Sequence, residues 1–94
     1  MSVNARKPAR LKVDFLGAEF SRVTGAFVQE AHRRGQQVHV WTVDKSESID
    51  RVIDLGADNI ITNQSAEAVR RLHEYESLTA LERALRRARA WLAN

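Results

Sequence analysis

The residues best placed for chemistry lie where an apolar segment ends in aromatic and polar side chains. The stretch VHVWTVD, residues 38–44, carries Trp41 near the end of a strand-like segment and Asp44 just after it. An indole at the end of a strand offers an apolar wall and one hydrogen-bond donor. Trp41 therefore either packs in a core or an interface, or lines the mouth of a site. Asp44 stands three residues before Glu47, which indicates a helix cap more than a general base.

The chain's three histidines form no pattern that indicates a metal site. We interpret His39 as a packed or hydrogen-bonded core residue, His73 as a surface residue, and Asp58 as ordering the turn before a strand. Potential ligands are not close together in sequence, no glycine-rich phosphate loop is present, and cysteine is absent. The chain is therefore predicted to hold no metal and no cofactor by itself.

Length and composition indicate one globular domain. The 94 residues are 44% hydrophobic and 29% charged, and a net charge of +3 gives only weak attraction to polyanions. No apolar run reaches the ~20 residues that cross a bilayer. The cysteine-free sequence is compatible with a reducing cytoplasm, which is the predicted location. Residues 1–10 are interpreted as a flexible basic arm.

Strand-like and helix-like segments alternate over residues 11–75. Strands are predicted near residues 11–17, 37–43 and 58–62, each followed by a helix. Expected helix caps are Ser21 or Thr24, then Asp44, then Asn63 or Ser65, with Gly35 and Gly56 at helix ends. The inward side chains of the three helices are predicted as Val23, Phe27, Val28, Ala31; Ile49, Val52, Ile53; and Ala66, Val69, Leu72. Such alternation favours an α/β fold with a parallel sheet.

Residues 76–94 form a predicted amphipathic C-terminal helix. Thr79 and Glu82 match a capping box. The apolar stripe of this helix comprises Leu81, Leu85, Ala88 and Leu92. Its arginines, Arg83, Arg86, Arg87 and Arg89, are expected mostly on a solvated face.

Residues 28–62 resemble the C-terminal end of the glycerophosphodiester phosphodiesterases. The resemblance is carried by Ala31-His32 with Gly35, then Trp41-Thr42-Val43, and finally Leu55-Gly56, Asp58 and Ile60-Ile61-Thr62. It implies three parallel β/α units over residues 11–75, similar to the last three of a (β/α)₈ barrel. By the same resemblance, Trp41 lines the substrate mouth and binds a glycerophosphodiester.

The family's catalytic segments have no match in this sequence. The resemblance implies phosphodiester hydrolysis in lipid metabolism, with histidines as general acid or nucleophile and acidic residues that hold Ca or Mg. His32 begins an HRRG stretch at a helix end and is not assigned that role. Asn63-Gln64-Ser65 replaces the family's usual continuation after Thr62, which removes an Asp and a Pro. No catalytic residue is therefore predicted, and enzyme activity stays open.

Three functions follow as hypotheses. The first in rank is a self-associating module, a homo-oligomer that completes its own sheet edges and lacks activity alone. The second is a subunit or remnant of a metal-dependent phosphoric diester hydrolase. The third is an RNA or membrane-surface binder that uses the arginines of the last helix, and no pattern of aromatic residues between basic ones supports it. No nucleic-acid partner is therefore predicted.

Overall fold

The computed structural model of the chain describes residues 2–5 and 14–93. The strands are β1 (Ser2–Asn4), β2 (Asp14–Glu19), β3 (Gln36–Trp41) and β4 (Asn59–Ile61). The helices are a short 3₁₀ turn (Phe20–Arg22), α1 (Gly25–Arg33), α2 (Ser46–Leu55), α3 (Ser65–Glu76) and α4 (Ala80–Leu92). The strands form one sheet in the order β1-β4-β3-β2. Because β2, β3 and β4 are parallel and β1 is antiparallel to β4, the fold is mixed α/β.

β1 covers one edge of the parallel sheet. Its residues belong to the predicted arm, yet Val3 is buried beside Ile60 and the Ala5 N–H donates to the Asp58 carbonyl across 2.7 Å. The predicted homo-oligomer was to complete the sheet edges, but at β4 the chain completes the edge itself. Residues 6–10 of the predicted arm and residues 11–13 of the first predicted strand lie outside the described residues.

One face of the sheet is packed under the helices. Val38 and Val40 of β3 and Ile60 of β4 are almost completely buried on this face. Helix side chains predicted to point inward complete the core, among them Val28, Ala31, Ile49, Val52 and Ile53. Each side chain of this kind contributes about 1.5–3 kcal/mol when fully buried, so this face is the main source of stability.

The other face of the sheet, here called the open face, carries Phe15, Gly17, His39 and Trp41. Phe15 stacks on His39 with ring centroids 4.4 Å apart, and Phe15 remains 61% exposed. Alternation along the strand predicted near residues 37–43 would place Val43 on this face as well, but the chain leaves the strand after Trp41 and Val43 is fully buried. Among the described residues, no helix covers the open face.

The predicted helix ends are confirmed in part. Thr24 caps α1 by accepting from the Phe27 N–H at 3.1 Å, and Gly35 and Gly56 adopt φ values of 76° and 95°. Those angles favour glycine because a Cβ would be strained there. Asp44 does not cap α2: the capping position is Lys45, and no side chain caps it. The cap position of α3 is Gln64, so the prediction of Asn63 or Ser65 is wrong.

Helix α3 is rotated relative to the prediction. Ala68 and Leu72 are its buried residues, whereas Ala66 and Val69 are exposed. The reason lies in Glu67 and Arg71, which face α2. The Glu67 carboxylate accepts from the Ser46 hydroxyl, and Arg71 pairs with both Glu67 and Asp50. A polar seam therefore joins α2 to α3.

Helix α4 is also rotated relative to the prediction. Its arginines, expected in solvent, contact the body of the protein: Arg86 Nε lies 2.9 Å from Asp54 Oδ1, and Arg83 donates to the Glu76 carbonyl at 2.7 Å. Leu81 and Leu85, expected to pack inward, are exposed. The capping box of Thr79 and Glu82 is confirmed. No helix in the described part of the chain has the length and apolar character needed to cross a membrane.

Replacing Glu67 tests the polar seam between α2 and α3. Hydrogen bonds from Arg70, Ser46 and Arg71 lower the pKa of Glu67 from 4.5 to about 2. A lowered carboxyl pKa means that the stabilisation is present above pH 4.5 and is lost as the pH falls towards about 2. We expect Glu67→Gln to lower the free energy of unfolding near neutral pH and to flatten its decline in that window.

Urea unfolding at a series of pH values measures this decline. Glu76→Gln, at the exposed end of the same helix, is the matched control and should keep the wild-type slope. Equal slopes for Glu67→Gln and the wild type would contradict the assignment.

Replacing Gly25 tests the contact between α4 and α1. The Trp91 ring lies so close to Gly25 that a Cβ there would overlap it. Helix propensity alone predicts that Gly25→Ala stabilises the chain. We expect a loss of about 1–3 kcal/mol instead, because overpacking must displace the ring.

A double-mutant cycle with Trp91→Ala separates the two effects in thermal unfolding. In the Trp91→Ala background, Gly25→Ala should be neutral or stabilising. A loss of stability that persists without the indole would show that the contact is not the cause.

Candidate functional site

The carboxyl ends of β2, β3 and β4 meet at one edge of the sheet, here called the mouth edge. Its side chains are Glu19, Trp41, Asp44, Thr62 and Asn63, which end the strands or follow them directly. Parallel pairing brings these residues together although they come from three separate segments. Ligands of open α/β sheets bind at the carboxyl edge, so this is the place to look for a site.

Trp41 is the largest side chain of the mouth edge and is 41% exposed. Its ring lies over Gly17 of the neighbouring strand, where a Cβ would come within 2.7 Å of Trp41 Cζ3. A side chain at position 17 would therefore push the ring away. The indole N–H donates no hydrogen bond to any residue of ranges 2–5 and 14–93. The predicted site residue thus lies where the sequence places it, and its role in binding stays a prediction.

Asp44 ties the ends of β3 and β4 together. Its Oδ1 accepts from the Asn63 N–H at 2.9 Å and from the Thr62 hydroxyl at 3.1 Å, and its Oδ2 accepts from Asn63 Nδ2 at 3.2 Å. The hydrogen bonds from the Asn63 backbone and side chain hold the pKa of Asp44 below its ordinary value. Asp44 is therefore a charged structural clamp of the mouth edge, which suits it poorly to act as a base.

Glu19 stands beside Trp41, and its position depends on the strand register. The β2–β3 register pairs Glu19 with Trp41 directly. The Glu19 carboxylate accepts from the Ser21 N–H at 3.2 Å and from the Ser21 hydroxyl, and so caps the 3₁₀ turn. Glu19 was not among the predicted site residues, because the first strand was predicted to end near residue 17, whereas β2 continues to Glu19. Only the register of β2 against β3 could have identified it.

The His32–Asp58 pair lies at the opposite, amino edge of the sheet. His32 Nε2 is 2.6 Å from Asp58 Oδ2, and the same oxygen accepts from the Val38 N–H at 2.8 Å. The pair links α1, β3 and the turn before β4, which confirms the ordering role predicted for Asp58. The HRRG stretch therefore serves the fold and does not reach the mouth edge.

The other two histidines also lie outside the mouth edge. His39 was predicted as a core residue, but it lies half-buried on the open face, where it contacts the Gln37 side chain at 3.1 Å and stacks on Phe15. His73 is exposed on α3, as predicted. Neither histidine stands close to a second histidine or to a carboxylate cluster in the described segments.

The mouth edge does not fit a divalent metal ion. Within residues 2–5 and 14–93, no group of three His, Cys, Asp or Glu side chains could hold one. Asp44 already uses both of its carboxylate oxygens as acceptors for Thr62 and Asn63. A metal at this edge would have to compete with those donors, and Glu19 is bound to Ser21. We therefore derive no step through a metal held by this chain.

Comparison with known proteins extends these observations. Residues 2–67 match the sequence model of the Glycerophosphoryl diester phosphodiesterase family. A 43-residue segment is 40% identical to "Probable glycerophosphodiester phosphodiesterase 2" of Mycobacterium tuberculosis, and covers 46% of this chain and 16% of that protein. A crystal structure from Silicibacter pomeroyi, of a protein assigned as a glycerophosphoryl diester phosphodiesterase, superposes with a TM-score of 0.65 and 33% identity.

The matched segment makes up most of this chain but only a small part of its relatives. The superposition covers 67% of this chain but only 21% of the Silicibacter pomeroyi protein. The residues matched by the family model extend from β1 to the start of α3, whereas α4 lies beyond them. The match covers well over half of the chain, and the chain therefore belongs to the glycerophosphoryl diester phosphodiesterase family.

Proposed function

We propose that this chain is three β/α units of a (β/α)₈ barrel and acts as a self-associating module without hydrolytic activity of its own. One observation carries the proposal. Helices cover one face of a three-strand parallel sheet, while the face that would line a barrel holds Phe15, His39 and Trp41 in the open. A closed barrel buries such a face by adding strands around it.

The outer edge of β2 supports the same conclusion. β2 is the last strand in the sheet order, and no strand of the described residues pairs with its outer edge. Unpaired backbone groups on a strand edge favour pairing with another chain. Phe15 is 61% exposed beside this edge. A second copy, or a longer partner of the same fold, could pair with the backbone groups of this edge and cover the Phe15 ring in one contact.

The mouth edge supports the proposed lack of activity. Hydrolysis of a phosphodiester needs a positioned acid or base and stabilisation of the phosphate charge. The Asp44 and Glu19 carboxylates are held by hydrogen bonds from neighbouring residues. Neither of them lies beside a histidine in the residues that the structure describes. The chain offers the Trp41 wall and leaves the catalytic groups to another segment.

A second candidate function is that of a hydrolase subunit. Trp41 is exposed at the carboxyl edge, and its indole N–H has no acceptor within the described ranges. A partner that brings histidines and metal-binding acids could combine them with this wall to bind a glycerophosphodiester. Participation in lipid metabolism and a cytoplasmic location would follow from that role and stay predictions.

Adding a charge to the open face tests the self-association. We expect the purified chain to scatter light as an assembly larger than its 10.7 kDa mass. Phe15→Lys should weaken this assembly by at least about tenfold in concentration, because a charge would have to be buried against the partner. Val69→Lys, an equally new charge on the exposed side of α3, should leave the assembly unchanged. A wild-type chain that remains a monomer, or equal effects of both variants, would contradict this part of the proposal.

An activity assay tests the catalytic part. The chain alone, incubated with glycerophosphocholine and Ca²⁺ or Mg²⁺, should release no more product than buffer does, since the described carboxylates of the mouth edge are held by other donors and have no histidine beside them. Titration calorimetry with either ion should show no heat of binding at the mouth edge. Hydrolysis that Trp41→Ala abolishes would overturn the proposal and favour an enzyme.

A further inference from the structure

We propose that the outward face of α4 pairs with α4 of a second copy in an antiparallel helix–helix contact. Leu81, Leu85, Ala88 and Leu92 define this face, here called the α4 seam. Leu81, Leu85 and Leu92 are 69%, 60% and 86% exposed. Single exposed leucines are ordinary on a protein surface, but a continuous row of them indicates a contact.

The spacing of the α4 seam identifies the kind of contact. Its residues follow one another at intervals of four, three and four, which is the a and d pattern of a heptad repeat. In this register Leu85 and Leu92 occupy a positions, and Leu81 and Ala88 occupy d positions. A strict a and d row is the narrow seam of a two-helix pair, whereas packing on a globular core uses a wider stripe.

The opposite face of α4 is already occupied, so the helix cannot rotate to bury the α4 seam. Arg86 pairs with Asp54 of α2, and Arg87 Nε donates to the Asp54 carbonyl at 3.3 Å. Ala90 is buried, and Trp91 rests on Gly25 of α1. These contacts lie on the side opposite Leu81 and Leu85 and hold the leucines outward.

The charges beside the seam specify the direction of the second helix. Glu82 and Arg89 both occupy e positions of the heptad. An antiparallel pair with Leu85 facing Ala88 of the second copy brings each Glu82 next to Arg89 of the other chain, and so forms two equivalent ion pairs. A parallel pair would place Arg89 next to Ala84 of the second copy and would form none. Arg89 has no ion pair among the described residues, and Glu82 uses only Oε1 to accept from the Thr79 N–H.

Helix α4 is already folded and held in place before association. An isolated helix of this length is marginal in water, but α4 is fixed by its capping box and by its packing on α2. Pre-organised elements lose less conformational entropy on binding. A membrane surface is the less suitable occupant because Arg83, Arg86 and Arg87, which would contact lipid head groups, already bind groups of the protein itself.

This inference does not rest on the proposed function. The α4 seam lies on the helix-covered side of the molecule, since α4 packs on α2, and the open face and the edge of β2 lie on the other. It also lies outside residues 2–67, the part matched by the family model. Variants of the two surfaces therefore distinguish failure of one proposal from failure of the other.

Sedimentation equilibrium of the full chain tests the α4 seam. We expect Leu85→Gln to raise the dissociation constant by about tenfold or more, because two half-exposed leucines are removed from each contact. Val69→Gln removes an exposed apolar side chain from α3 and is the matched control, with no expected change. Both positions are exposed, so both variants should keep the wild-type melting temperature.

Charge variants test the direction of pairing. Arg89→Glu should weaken association about threefold to tenfold by placing like charges together. Adding Glu82→Gln, which preserves the capping box, should recover part of that loss in an antiparallel pair only. The inference is overturned if the wild-type chain is monomeric at about 100 µM or if Leu85→Gln leaves the association unchanged. It is also overturned if Glu82→Gln recovers none of the association lost in Arg89→Glu, or if the dissociation constants change only when anionic vesicles are present.

Discussion

Burial of Val38, Val40 and Ile60 beneath the helices determines where every other side chain of the sheet points. Side chains alternate along a strand, so fixing Val38 and Val40 inward places His39 and Trp41 on the other face. The register against β2 then sets Gly17 under the Trp41 ring and Glu19 beside it. The mouth edge is thus a consequence of core packing on the opposite face. A slip of one residue would bury Trp41 and expose the valines.

The parts of the fold that depend on local chemistry were predictable. Thr24, Gly35, Gly56 and the Thr79–Glu82 box act through their own or neighbouring backbone groups, so their residue types suffice. Asp44 failed as a predicted cap because Thr62 and Asn63, eighteen and nineteen residues away, supply its donors. The sequence around Asp44 does not show which distant residues donate hydrogen bonds to its carboxylate.

The orientation of α4 shows the limit of amphipathic patterns. Periodicity separates a leucine side from an arginine side, but it does not tell which of them meets the core. Arg86 pairs with Asp54 and Asp50 of α2, which lie more than thirty residues earlier in the sequence. Arg83 lies over the Tyr75 ring, with Cζ 5.3 Å from the ring centroid. Burial raises the pKa of Asp54, and Arg86 opposes that rise. A buried acid on α2 thus attracts the basic side of α4, and the apolar side of α4 faces outward.

The family motifs also separate structural from functional residues. Ala31, His32, Gly35 and Asp58 serve the amino edge and the helix ends, whereas Trp41 and Thr62 lie at the mouth edge. Most of the motif residues therefore build these units, and Trp41 is the one with a large exposed side chain at the mouth edge. The open face and the α4 seam then offer two different contacts on opposite sides. A symmetric α4 pair closes at two copies, whereas an edge-to-edge sheet contact repeats head to tail until its rotation closes a ring.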